Sequence, residues 1–150
     1  MQITLFFLNF AQSIEYFSIQ YRDNEARSAA RNDGWRGKGT PLRYRFEDVL
    51  LSLNIYLVLS DDEIKLLAKT LSDFRNFFTH YSENRVEPSY QEMSAAGRVL
   101  HFALLALVYQ IVGLGEDSVR KSIRYFSHGS LFRDIRVVLK QEDIRHDYLF

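Results

Sequence analysis

Cysteine is absent from this chain of 150 residues. Disulfide scaffolds, cysteine–zinc sites, iron–sulfur clusters and thiol catalysis are thereby excluded. Proline is scarce, with two residues, and glycine is sparse, with seven. That excludes collagen-like and turn-dense β architectures. Net charge is absent too: Lys and Arg total 19, as do Asp and Glu. Neutrality argues against tight, indiscriminate binding of the whole body to polyanions, though it leaves room for a local basic patch. No long hydrophobic run occurs. The longest, Phe102 to Leu114, is interrupted by Gln110 and falls short of the ~20 residues a spanning helix needs. The N-terminal stretch MQITLFFLNFAQS has no basic segment ahead of its apolar residues, so it makes a poor signal peptide. A soluble, cytoplasmic protein with no membrane partner is expected. No cofactor is called for, and no metal either, because the histidines show no ligand spacing.

What the chain does have is helical periodicity. Ile3, Phe7, Phe10, Ile14, Phe17 and Tyr21 form one stripe of an amphipathic helix. The pattern starts almost at Met1 with no capping residue before it, as expected either of a domain excised from a larger protein or of one whose partner surface comes from another subunit. It stops at Arg22, and the polar, glycine-bearing segment 23–40 reads as a long mobile loop. Pro41 closes that loop as a first helical residue. Phe46, Leu50, Leu53 and Leu57 then mark a second helix over about 42–58. The run 54–59 has strand composition, but no partner strand exists in the sequence.

Ser60-Asp61-Asp62-Glu63 is a capping box opening a third helix, with Ile64, Leu67, Leu71, Phe74, Phe78 and Tyr81 inward. Ser89-Tyr90-Gln91-Glu92 is another, opening a fourth helix that turns Met93, Ala96, Leu100, Leu104, Val108 and Ile111 inward and ends at Gly113. Short helices follow at about 117–127 and 131–140, before a mixed tail. The expected fold is all-α: one domain over 1–150, an antiparallel bundle of four main helices plus short C-terminal ones. The apolar faces of the first and fourth helices exceed what one small bundle needs, so part of that surface is expected at an interface between chains.

The third helix ends in Arg75-Asn76-Phe77-Phe78-Thr79-His80. Asn76 and His80 are four apart and share a face. Arg75 and His80 are five apart, ~140° around a regular helix, so the two converge only if Arg75 reaches round, the last turn distorts, or a second chain supplies the other half. Arginine is a permanent, fork-shaped phosphate ligand. Imidazole titrates near neutral pH and serves as general base or acid. Asparagine orients both. The set suits metal-free RNA cleavage: His80 takes the ribose 2′-OH proton, the 2′-oxygen attacks the adjacent phosphorus, and Arg75 stabilises the developing charge. On spacing alone, the same residues also read as a surface arginine and a cation at a helix C-terminus.

In its surroundings the segment resembles the R-N-x-x-x-H motif of HEPN domains, most closely the ApeA-like branch. The likeness runs from about Leu5 to Leu114. It takes in the Ala11–Phe17 segment with Glu15, the Pro41–Phe46 segment after a variable loop, and the fourth helix ending at Leu114-Gly115. The resemblance implies an α-helical bundle that homodimerises, with two Arg–Asn–His sets facing one another across a cleft. It implies a ribonuclease of prokaryotic anti-phage defence or toxin systems, with Arg75, Asn76 and His80 in the catalytic positions. HEPN domains that only dimerise a larger effector, or bind RNA or nucleotides, are the alternative. ApeA-like proteins usually carry a large N-terminal domain, so a sensor domain absent from this chain is an expected partner.

Supporting residues are legible around this set. Glu15 is positioned to pair with Arg75 or to face solvent. Thr79 stands behind the site, and Tyr81 continues the apolar stripe with its hydroxyl near the cleft. Between residues 22 and 45 there are seven basic and three acidic side chains, with Trp35 and Tyr44 interleaved. Arg36, Lys38 and Arg43 are there the candidate contacts to single-stranded RNA, or else part of a solvated loop. His101 reads as a core histidine; His128 and His146 look incidental.

Overall fold

The structure is a computed structural model that describes residues 2–80, 86–127 and 130–141. Eight helices and no strand occur among them: α1 (Gln2–Tyr21), α2 (Asp23–Asn32), α3 (Leu42–Ser52), α4 (Asn54–Leu57), α5 (Asp61–Thr79), α6 (Tyr90–Ile111), α7 (Glu116–Ser127) and α8 (Ser130–Leu139). The all-α expectation holds. The long helices α1, α5 and α6, with α3, supply the main bundle. The C-terminal helices lie within a residue or two of where the periodicity places them.

Both capping boxes form. Ser60 Oγ accepts from the Glu63 N–H while the Glu63 carboxylate accepts from the Ser60 N–H, and Ser89 and Glu92 repeat the exchange. Each box satisfies two of the N–H groups that a helix start leaves unpaired. Three acidic residues in the first turn of α5 add favourable charge at the positive end of its dipole.

The core is one contiguous cluster drawn from α1, α3, α5, α6 and α8. On α5 the expected stripe is the buried one through Phe74, with Phe78 half-buried. On α1 the buried line is Phe7, Ala11, Ile14 and Ser18, with Ile3, Phe10 and Phe17 half-buried beside it and Tyr21 exposed. On α6 the expectation fails at the C-terminal end. Ala103, Ala106 and Leu107 are buried, whereas Val108 and Ile111 are exposed. The cause is that α6 is gripped on two sides, by α1 and α8, and its small residues let those helices come close. Gly97 shows this directly, because an added Cβ would meet the Phe6 ring at 2.7 Å.

Three local expectations are corrected. Residues 23–40 are not one loop, since α2 occupies Asp23–Asn32 and buries Ala26 and Ala30. The loop proper begins at Asp33. Pro41 is the N-cap of α3 and not its first helical residue, which is Leu42. The helix over 42–58 is broken at Leu53. There the Asn54 side chain brackets Leu59, accepting from its N–H and donating to its carbonyl, both at 2.9 Å, and Val58 takes a left-handed conformation with φ 53. That bracket folds the strand-like run 54–59 into a corner.

α8 is more than an appendage. It runs antiparallel to α6, with Arg98 paired to Asp134 and Glu92 to Lys140. Asp134 is buried and receives two hydrogen bonds from the Arg98 guanidinium, at 2.9 and 2.7 Å. By length and composition α6 is apolar enough to cross a membrane. In this fold it is the helix on which α1 and α8 pack.

Candidate active site

The end of α5 is set against α1 by packing. Phe74 is buried, and its ring meets Phe7 edge-on at 6.4 Å. That contact carries Arg75, the next residue, toward α1. Its Nη2 donates to Glu15 Oε2 at 3.0 Å, and Nη1 donates to Asn76 Oδ1 at 3.2 Å and Thr79 Oγ1 at 3.3 Å. Thr79 Oγ1 in turn donates to the Arg75 carbonyl at 3.1 Å, the bond that threonine commonly makes one helical turn back. The two charged side chains are only 18% (Arg75) and 27% (Glu15) exposed, so water screens the pair incompletely. Arg75 Nε is buried with no acceptor.

His80 is the C-cap of α5. Its backbone N–H donates to the Asn76 carbonyl at 2.9 Å and its backbone is extended, with φ −131 and ψ 109. The chain leaves the helix here, so the imidazole is exposed while Arg75 is turned inward. Four of the expected residues, Glu15, Arg75, Asn76 and Thr79, therefore form one hydrogen-bonded cluster, with His80 at its edge through the backbone. Tyr81 lies outside the described residues, as do His128 and His146. Phe77 and Phe78 stack edge-on at 4.9 Å beside the cluster.

Chemically, the cluster presents a guanidinium whose orientation is fixed by one carboxylate and two neutral acceptors. A titratable imidazole stands beside it, open to solvent. Among the described residues no group of three or more His, Asp and Glu that could hold a metal is present.

The basic segment divides sharply. Arg22 pairs with Asp48 at 2.7 Å, Arg27 and Arg45 both pair with Asp23, and Arg43 lies 4.0 Å from Asp33. Arg43 also donates to the Tyr44 hydroxyl at 2.6 Å, and that hydroxyl donates to Asp33 at 2.7 Å. These contacts hold two carboxyls below the usual carboxylate range, Asp23 through the Arg45 hydrogen bond and Asp33 through the Tyr44 hydroxyl. Arg43 is thus engaged within the fold, away from Arg36 and Lys38. Those two, with Arg31 and Trp35, line a separate hollow at the end of α2. His101 is half-buried, stacked on Phe10 at 4.7 Å, as expected of a packed histidine.

The all-α bundle is consistent with the HEPN class of domains. The chain belongs to the Apea-like HEPN family, whose model matches residues 8–118. The match runs from within α1 to the first turn of α7 and stops before α8. No curated protein and no solved structure matches the chain.

Proposed function

We propose that this protein is a metal-independent endoribonuclease whose centre is built from Arg75, Asn76 and His80. HEPN domains are generally RNA-directed, and membership of the family supports RNA as the substrate class. The observation that carries the proposal is the anchoring of the Arg75 guanidinium by Glu15, Asn76 and Thr79. A cation fixed before substrate arrives stabilises developing phosphate charge without reorganising during the reaction. His80 takes the 2′-OH proton, the 2′-oxygen attacks phosphorus, and the 5′-oxygen departs with a proton returned by an imidazole. The products are a 2′,3′-cyclic phosphate and a 5′-OH end. Glu15 is a positioning residue that acts through Arg75.

The outward His80 beside an inward Arg75 supports a composite site completed by a second copy of the chain. Tyr16 and Ile19, exposed next to Glu15 on α1, offer apolar surface for that contact. The reading also includes a cytoplasmic role in prokaryotic anti-phage defence or as a toxin. A second reading is favoured by the Glu15–Arg75 pair itself. A guanidinium already neutralised by a carboxylate is a weaker phosphate ligand, which would suit a HEPN module that dimerises or binds RNA without cutting.

Cleavage of single-stranded RNA in EDTA, wild type beside His80→Ala, tests the proposal. Cutting by wild type alone supports the nuclease. Equal cutting by both would refute His80 as the catalytic imidazole, and no cutting by a folded wild-type protein favours the binding module.

A further inference from the structure

We infer that the hollow at the C-terminal end of α2 is a docking site for single-stranded RNA, separate from the Arg75 centre. Ion pairing singles it out. Of the seven basic residues between 22 and 45, Arg22, Arg27, Arg43 and Arg45 are held by carboxylates. Arg31, Arg36 and Lys38 have no carboxylate at ion-pair distance among the described residues, and these three share one open hollow of about 660 Å3. Three cations gathered without counter-charges raise the local potential and favour a polyanion.

The hollow also has a stacking surface. Trp35 is 38% exposed at its wall, and its indole N–H donates to the Gly39 carbonyl at 3.1 Å, which pins the ring. Gly37 lies directly against that ring, where any Cβ would collide with it, and Gly34 and Gly39 take φ of +90 and +74 that bend the loop around it. Arg36 Nη1 donates to the carbonyls of Arg31 and Trp35, which ties the loop to the end of α2. Its other guanidinium N–H groups remain for a ligand. A fixed aromatic among unpaired cations is how single strands are held without sequence preference: charge tracks the backbone and bases stack on the ring. The volume admits a nucleotide. A duplex, whose bases are already stacked, gains nothing from Trp35.

The choice of RNA among polyanions rests on the ribonuclease reading, but binding is measurable without cleavage. The probe is a 5′-labelled single-stranded oligouridylate, followed by fluorescence anisotropy in a His80→Ala background across a salt series. The combined variant Arg31→Gln, Arg36→Gln, Lys38→Gln is expected to lower affinity on the order of 100-fold at about 0.1 M salt. It should also reduce the slope of log affinity against log salt by about 2, from ~0.7 per lost phosphate contact. Trp35→Leu is expected to cost at least roughly fivefold through lost stacking. Arg133→Glu, on the outer face of α8, serves as the charge control. An unchanged slope, an equal loss from Arg133→Glu, or equally tight binding of double-stranded RNA that depends on the hollow would overturn the inference. Binding that depends on the hollow, by a protein that never cuts RNA, would leave the docking site standing and sink only the nuclease reading.

Discussion

Replacing Glu15 by Gln removes the carboxylate charge that pairs with Arg75 and keeps nearly the same shape. The cost follows from burial. An exposed ion pair is worth about 0–1 kcal/mol, whereas removing one partner of a buried pair costs about 3–5 kcal/mol. With exposures of 18% and 27%, this pair sits between those limits. The amide oxygen still accepts a hydrogen bond, and Asn76 and Thr79 still hold Nη1, so the lower part of the interval applies, about 1–2 kcal/mol. For a chain of this size that lowers the melting temperature by roughly 3–6 °C. Cleavage should suffer through turnover more than through KM, because a loosened guanidinium still meets phosphate but no longer meets it pre-aimed. The assay is a double-mutant cycle, Glu15→Gln with Arg75→Gln, read by thermal melting and by RNA cleavage. The account expects a coupling of about 1 kcal/mol in stability. Additive effects to within ~0.3 kcal/mol would refute the claim that Glu15 acts through Arg75.

Other expectations follow from the same geometry. Asp134→Asn, measured by thermal melting, should cost about 1–3 kcal/mol, since it breaks the two-pronged bond from Arg98 and loosens α8; Arg98 is 48% exposed, which keeps the figure below that of a fully buried pair. Val58→Gly should raise the melting temperature, with a gain of about 0.5–1 kcal/mol, because a β-branched residue at φ 53 is strained; a drop of that size would show the corner depends on the valine side chain. The depressed carboxyls of Asp23 and Asp33 set the acid response. A carboxylate with a lowered folded pKa adds stability above its unfolded value, near 3.9, and loses it as pH falls through the folded one. Burial raises Glu47, which acts with opposite sign and favours the folded state as it protonates. Melting temperature should therefore fall from about pH 4 downward, and Arg45→Gln should flatten that fall.

Much of the fold is readable in the chain because long apolar stripes and paired caps are local signals. Ser60 with Glu63 and Ser89 with Glu92 mark their helices at three-residue range, and the Ile64–Phe74 stripe needs no knowledge of its partner. α2 escapes the same reading because it is polar on all but one line, with Ala26 and Ala30 its only buried residues. Its acidic first turn at Asp23 and Glu25 and its Arg31 at the other end were the available signals. The rotated face of α6 depends on which helices grip it, and sequence periodicity cannot separate Leu104 and Val108 from Ala103 and Leu107. The site divides in the same way. Arg75, Asn76 and His80 are legible as a short segment, while the Glu15 contact spans 60 residues and is fixed only by the Phe7–Phe74 packing. Arg43 reads as an RNA contact by charge, yet its proximity to Tyr44 and Asp33 claims it for the fold.

The central claim is that the 2′-oxygen of RNA is the nucleophile at the Arg75–Asn76–His80 centre. An oligoribonucleotide that carries a single 2′-deoxynucleotide at a mapped cleavage position, incubated with the wild-type protein in EDTA, tests it. Cutting should disappear at that position alone, and fragments from neighbouring positions should end in 2′,3′-cyclic phosphate and 5′-OH. Cutting 3′ to the deoxynucleotide, or fragments with 5′-phosphate and 3′-OH ends, would contradict it.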